Sequence, residues 1–63
     1  MSMTLTLIKK HRIAVVPEYE GGWQADMYGD EESPQYSATG STPYEAVKAV
    51  MAKYEEDKDH PHV

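Results

Sequence analysis

The sequence predicts an α+β fold: a three-stranded antiparallel sheet followed by one C-terminal amphipathic helix, in the order β-β-β-α. Three observations carry this. Trp23, Ala25 and Met27 alternate with Gln24, Asp26 and Tyr28, which is the period-2 pattern of a strand. Gly21 and Gly22 stand directly before them, and two successive glycines supply the positive φ that a hairpin turn needs. Tyr44, Val47, Val50, Met51 and Tyr54 recur three and four residues apart, the spacing of a helix with one apolar face. At 63 residues the chain reads as a single domain, 1–63, near the lower limit for burying a self-sufficient core.

Leu5 and Leu7 alternate with Thr4 and Thr6 until Lys9-Lys10-His11 interrupts them. Residues 4–8 therefore read either as the start of strand one, with a bulge at the lysines, or as a separate arm. The firm part of strand one is 12–17, which Pro17 ends or confines to a sheet edge because it lacks an N–H. Strand two begins at Trp23 and turns Trp23, Ala25 and Met27 toward the core. Residues 29–34 form an acidic loop, and 35–40 form strand three, with Tyr36 and Ala38 on one face.

Thr42-Pro43-Tyr44-Glu45 is a helix start. The Thr42 hydroxyl is placed to accept from the Glu45 N–H, and the Glu45 carboxylate to reach back to the Thr42 N–H. Pro43 fits the first helical position, where a missing N–H costs nothing. The helix is expected over 43–56, with 57–63 fraying as a tail, so that 4–56 is the ordered part. One helix covers only one face of the sheet. Residues among Ala14, Val16, Tyr28 and Leu5 or Leu7 would then be left to water, and self-association as a homodimer or higher homo-oligomer is the expected remedy.

Charge is segregated. Residues 1–17 carry net +3, residues 18–42 carry net −6 with no cation at all, and 43–63 carry net −2. Nucleic-acid binding draws most of its affinity from Lys and Arg on phosphates, so the middle third opposes it and direct nucleic-acid binding is not expected. The natural complement is a basic protein partner. Glu18, Glu20, Asp30, Glu31 and Glu32 are the candidates for charge complementarity. Tyr19 and Trp23 are candidate aromatic anchors, though Trp23 reads first as a core residue. The two groups of acids belong to successive hairpin connections, which fall at opposite ends of a sheet. The denser group, Asp30 to Glu32, is expected to dominate.

The absence of Cys excludes a disulfide, a thiolate metal site and a cysteine nucleophile. No nucleophile elbow, phosphate loop or paired-histidine zinc motif is present. Asp30-Glu31-Glu32 lacks the alternation of a calcium loop. His60-Pro61-His62 lacks a third ligand, and His11 reads as a surface residue. The chain is therefore expected to be non-catalytic, with no metal and no cofactor. No stretch approaches the ~18 apolar residues of a membrane span, and Lys9 and Lys10 follow the apolar start instead of preceding it. The expected location is the cytoplasm, with no membrane partner.

Two segments, RIAVVPEYEGGW over 12–23 and TGSTPYEAVKAV over 39–50, carry a family likeness. The span 12–56 resembles the HicB-like antitoxin family, in which a strand with an acidic end leads through a glycine turn to an aromatic. In that family a third strand then runs into a Thr-capped helix. Two departures are visible. Acids in 29–35 replace the family's Pro-rich, Gly-containing stretch, and the family's C-terminal DNA-binding domain does not follow, so a stand-alone member is expected. The resemblance implies a degenerate, RNase H-like β-β-β-α fold that neutralises a small basic ribonuclease toxin by occluding its RNA-binding face. The alternative is a phage or mobile-element inhibitor of another host protein on the same scaffold. A double-stranded RNA-binding module, which shares the β-β-β-α order, is disfavoured because its last helix would need a basic start where this one has Glu45.

Overall fold

The computed structural model describes residues 3–59. Its elements are α1 (Met3–His11), β1 (Ile13–Pro17), β2 (Trp23–Met27), β3 (Tyr36–Gly40) and α2 (Pro43–Asp59). The three strands form one antiparallel sheet in the order β1-β2-β3. The architecture is α+β with a C-terminal helix on the sheet, as the sequence predicts, and it adds a helix at the front.

That added helix corrects the reading of residues 4–8 as strand or arm. The Thr-Leu alternation suggested period 2, but the half-buried positions of α1 are Thr4, Leu7, Ile8 and His11. This is helical spacing, and Leu7 and Ile8 pack against the core. Lys9, Lys10 and His11 occupy the last turn, where cations meet the negative end of the helix dipole. Arg12 ends the helix in a left-handed conformation at φ 54°, so the helix stops one residue before β1. A second correction concerns the expected tail. The helix continues through Asp59, and Asp57 is half-buried. Residues 60–63, with His60-Pro61-His62, lie outside the described residues.

Register assigns the two sheet faces. Ile13, Met27 and Tyr36 stand side by side across the strands, as do Val15, Ala25 and Ala38, and Pro17, Trp23 and Gly40. This inner face meets the helices. Ile13, Ala25, Met27, Ala38, Ala46, Val47 and Val50 are buried, and Val47 and Val50 are the largest fully enclosed side chains. Burying each valine contributes about 1.5–3 kcal/mol. Three of the seven are alanines, so the helix sits very close to the sheet. A Cβ on Gly40 would lie 2.5 Å from the Ala46 nitrogen, which only a glycine avoids.

The outer face carries Ala14 and Val16 of β1, then Gln24, Asp26, Ser37 and Thr39. Its centre is polar. Gln24 Nε2 donates to Asp26 Oδ1 at 2.8 Å and Ser37 Oγ to the same oxygen at 2.7 Å. Of the apolar residues expected there, Ala14 and Val16 stand on this face and Tyr28 lies half-buried just past β2, whereas Leu5 and Leu7 belong to α1. At the free edge of β3, the Lys53 ammonium reaches over from α2 to the Ser37 carbonyl. A lysine so placed blunts the edge against further strands.

Candidate functional site

The two helices run side by side in the same direction. Met3 and Leu7 of α1 line one groove with Tyr44, Val47 and Met51 of α2, while the His11 ring stands 5.2 Å from the Tyr54 ring, tilted at 54° to it. Both helices therefore start at the end of the sheet that holds the β1–β2 turn and finish at the end that holds the β2–β3 loop. The six acidic and aromatic residues expected to bind a partner divide between these ends. Four residue steps of strand separate them, which is about 13 Å.

At the turn end, Glu18 N–H donates to the Gly22 carbonyl at 3.0 Å and Gly21 N–H to the Glu18 carbonyl at 3.2 Å. Gly21 and Gly22 both take positive φ, 108° and 86°. The tight closure leaves Tyr19 and Glu20 at the tip. Tyr19 is 94% exposed, which makes it the most exposed large hydrophobic residue among those described. Glu18, Tyr19, Glu20, Trp23 and Thr39 line a shallow depression beside the turn. Trp23 packs inward on the core and also lines this depression, so the core assignment and the surface role coexist. The described lining holds two carboxylates and no cation.

At the loop end, Asp30, Glu31 and Glu32 are exposed. The loop is tied to the end of α1. Tyr28 N–H donates to the Arg12 carbonyl at 3.1 Å, Gly29 N–H to the His11 carbonyl at 2.9 Å, and Arg12 Nη1 to the Gly29 carbonyl at 3.2 Å. Asp30 and Glu31 line a hollow of about 310 Å³ together with Lys10, His11 and Arg12. The chain's own basic segment thus lines the same hollow as two of the acids that the sequence made the denser group. The Tyr36 hydroxyl donates to Asp57, and the Tyr36 ring meets Tyr54 edge to face at 5.9 Å. The hydrogen bond to Asp57 raises the Tyr36 phenol above its ordinary 10.0, with burial and the Asp57 charge acting the same way. Tyr36 is therefore a neutral donor at pH 7.

The acids of the two ends do not form one patch. The pairing of the acidic loop with the end of α1 was missed in the sequence, because α1 itself was missed. The 4-7-8-11 spacing, followed by Lys9, Lys10 and His11 at a helix end, is the signal that would have found it. Among the described residues, no group of three or more His, Asp or Glu stands close enough to hold a metal ion. None of the helices described is long and apolar enough to cross a membrane. No protein-family model, curated protein or solved structure matches the chain.

Proposed function

We propose that this chain is a non-catalytic, antitoxin-like protein-binding module that acts in the cytoplasm by occluding the RNA-binding face of a small basic ribonuclease. The observation that supports it most is the β1–β2 turn. Tyr19 stands 94% exposed between Glu18 and Glu20, on a turn closed by two backbone hydrogen bonds, beside a depression that Trp23 helps to line. An exposed aromatic flanked by carboxylates suits a basic surface: the ring supplies contact area and the charges steer encounter. The resemblance of residues 12–56 to the HicB-like family supports the antitoxin part of the reading.

Glu18, Tyr19 and Glu20 carry the docking in this proposal, and Asp30, Glu31 and Glu32 contribute less. The reason is electrostatic. Lys10 and Arg12 beside Asp30 and Glu31 reduce the field a partner meets at that end, whereas no cation lines the turn-end depression.

The test is cross-linked capture from the source cell with the native chain and with Tyr19→Ala and Glu18→Gln/Glu20→Gln variants. The expected result is a basic ribonuclease held by the native chain, lost or weakened with the variants, whose RNA cleavage the native chain suppresses. A captured basic protein without ribonuclease activity moves the reading to an inhibitor of another host protein. Equal capture by all variants removes the turn from the site.

A further inference from the structure

A groove of about 470 Å³ lies between the two helices. Met3 and Leu7 of α1 form one wall, and Val47, Met51 and Ala52 of α2 form the other. Met3 is 81% exposed, and Tyr44 at the N-terminal end of the groove is 57% exposed. Only two charged side chains line it, Lys48 and Glu55, both on α2. They stand seven residues apart, about 10.5 Å along the helix and on one side of it. Tyr44, Lys48, Met51 and Glu55 follow one another at steps of four, three and four, the seam spacing of paired helices.

We propose that this surface is a two-fold interface on which a second copy of the chain seats its own α2 in antiparallel orientation. Charge complementarity selects both the occupant and the direction. With the axis between Met51 and Ala52, Lys48 of each copy stands opposite Glu55 of the other, twice per dimer. A parallel pairing would place Lys48 on Lys48 and Glu55 on Glu55. Ala52, small and exposed, lies beside the axis and lets the two helices approach. The contact is isologous and therefore closes as a dimer.

Two other self-contacts, through the outer sheet face and along the β3 edge, are opposed by the structure. Stacking the outer sheet faces would bring Asp26 toward Asp26, on a surface whose polar groups already satisfy one another. Pairing along the β3 edge would displace Lys53 from the Ser37 carbonyl. A monomer with three alanines among seven buried hydrophobics also has a thin core, and covering Met3, Tyr44 and Met51 would add to it. This inference does not depend on the docking of a basic partner at the β1–β2 turn. The groove and the turn-end depression share no lining residue, so either reading can fail alone.

Sedimentation equilibrium of the full chain is the test. A dimer of the 7.1 kDa chain is expected at micromolar concentration. Lys48→Glu and Glu55→Lys should each weaken it by roughly tenfold or more, since each creates two like-charge contacts, and the combined variant should restore it. The chain has no Cys, so Ala52→Cys supplies a single thiol. Under oxidised glutathione it should form a disulfide across the two-fold, while Ser33→Cys in the β2–β3 loop should not. All these positions are exposed, and circular dichroism checks the fold. A monomer at all concentrations overturns the proposal and leaves the groove to another occupant. So does a dimer that is indifferent to both charge variants and unlinked by Ala52→Cys.

Discussion

At one end of the sheet, Gly40 passes so close to α2 that no side chain fits between them, and Thr42 caps the helix directly afterwards. Glu18, Tyr19 and Glu20 project from that end on a two-glycine turn. At the other end, α2 is joined to the sheet by side chains: Tyr36 donates to Asp57 and meets Tyr54, and Tyr54 meets His11. Asp30 and Glu31 lie there beside Lys10 and Arg12. The turn end is held by backbone contact and leaves its charged tip free. The loop end is held by polar side chains, and two of its acids share a hollow with the chain's own bases. A turn needing no side chain for support can present all its side chains to a partner.

Gly40→Ala tests the first half of this contrast and should have the largest effect. Its Cβ would meet the backbone of Glu45 and Ala46 at 2.5–2.6 Å, atoms that can move only if α2 moves. Overpacking of this kind costs about 1–3 kcal/mol, and the backbone partner puts Gly40 at the upper end. Urea unfolding measures it. A loss of only a few tenths would mean that α2 does not depend on close approach at the turn end.

Thr42→Ala should cost about 1 kcal/mol. The Glu45 N–H donates to Thr42 Oγ1 at 3.1 Å. The reciprocal contact takes a different form from the expected one: the Thr42 hydroxyl reaches Glu45 Oε1 at 3.5 Å. The cap is therefore mainly one bond, and Thr42→Ser should retain most of it. An unchanged melting curve for Thr42→Ala would transfer the helix start to Pro43 alone.

Much of this end was legible in the sequence, because its determinants are local. Gly21-Gly22 and Thr42-Pro43-Tyr44-Glu45 each state a conformation within four residues, and Trp23, Ala25 and Met27 alternate without interruption. The loop end was not legible. The contacts that tie it to the helices join residues 16 to 43 positions apart, such as Arg12 with Tyr28 and His11 with Tyr54. They also depend on a helix that the Thr-Leu alternation of residues 4–7 disguised as a strand. The groove between α1 and α2 was hidden for the same reason.

Tyr36→Phe probes the loop end. It removes the donor to Asp57 and should lower stability at neutral pH while leaving the turn end intact. The pH dependence carries the specific signature. Because the Tyr36 phenol is raised above its ordinary 10.0, the folded state holds that proton more tightly than the unfolded chain does. Its contribution is complete below about pH 10 and is lost as pH rises through the higher folded value. Unfolding measured between pH 8 and pH 11 should show the native chain losing stability at the alkaline side more steeply than Tyr36→Phe. Parallel curves would deny Tyr36 the role of linking β3 to α2.

The smallest expected effect compares the two acidic groups directly, through association with a captured basic partner. Exposed charges act mainly on encounter, so neutralisation should slow association more than it speeds dissociation. Glu18→Gln/Glu20→Gln removes two charges from a depression lined by no cation. Asp30→Asn/Glu31→Gln/Glu32→Gln removes three, but two of them line a hollow shared with Lys10 and Arg12. The pair at the turn should therefore slow association severalfold, and the triple change at the loop should slow it less, despite its greater change in net charge. Net charge alone predicts the opposite order. The difference should fade as salt shortens the screening length from ~10 Å at 0.1 M. Stopped-flow rates across a salt series decide it. A larger effect from the triple variant would place the partner at the loop end, as the denser acids of the sequence suggest. Lys10→Gln and Arg12→Gln should then accelerate association by unmasking Asp30 and Glu31. If the turn carries the docking, those two changes should leave the rate nearly unaltered.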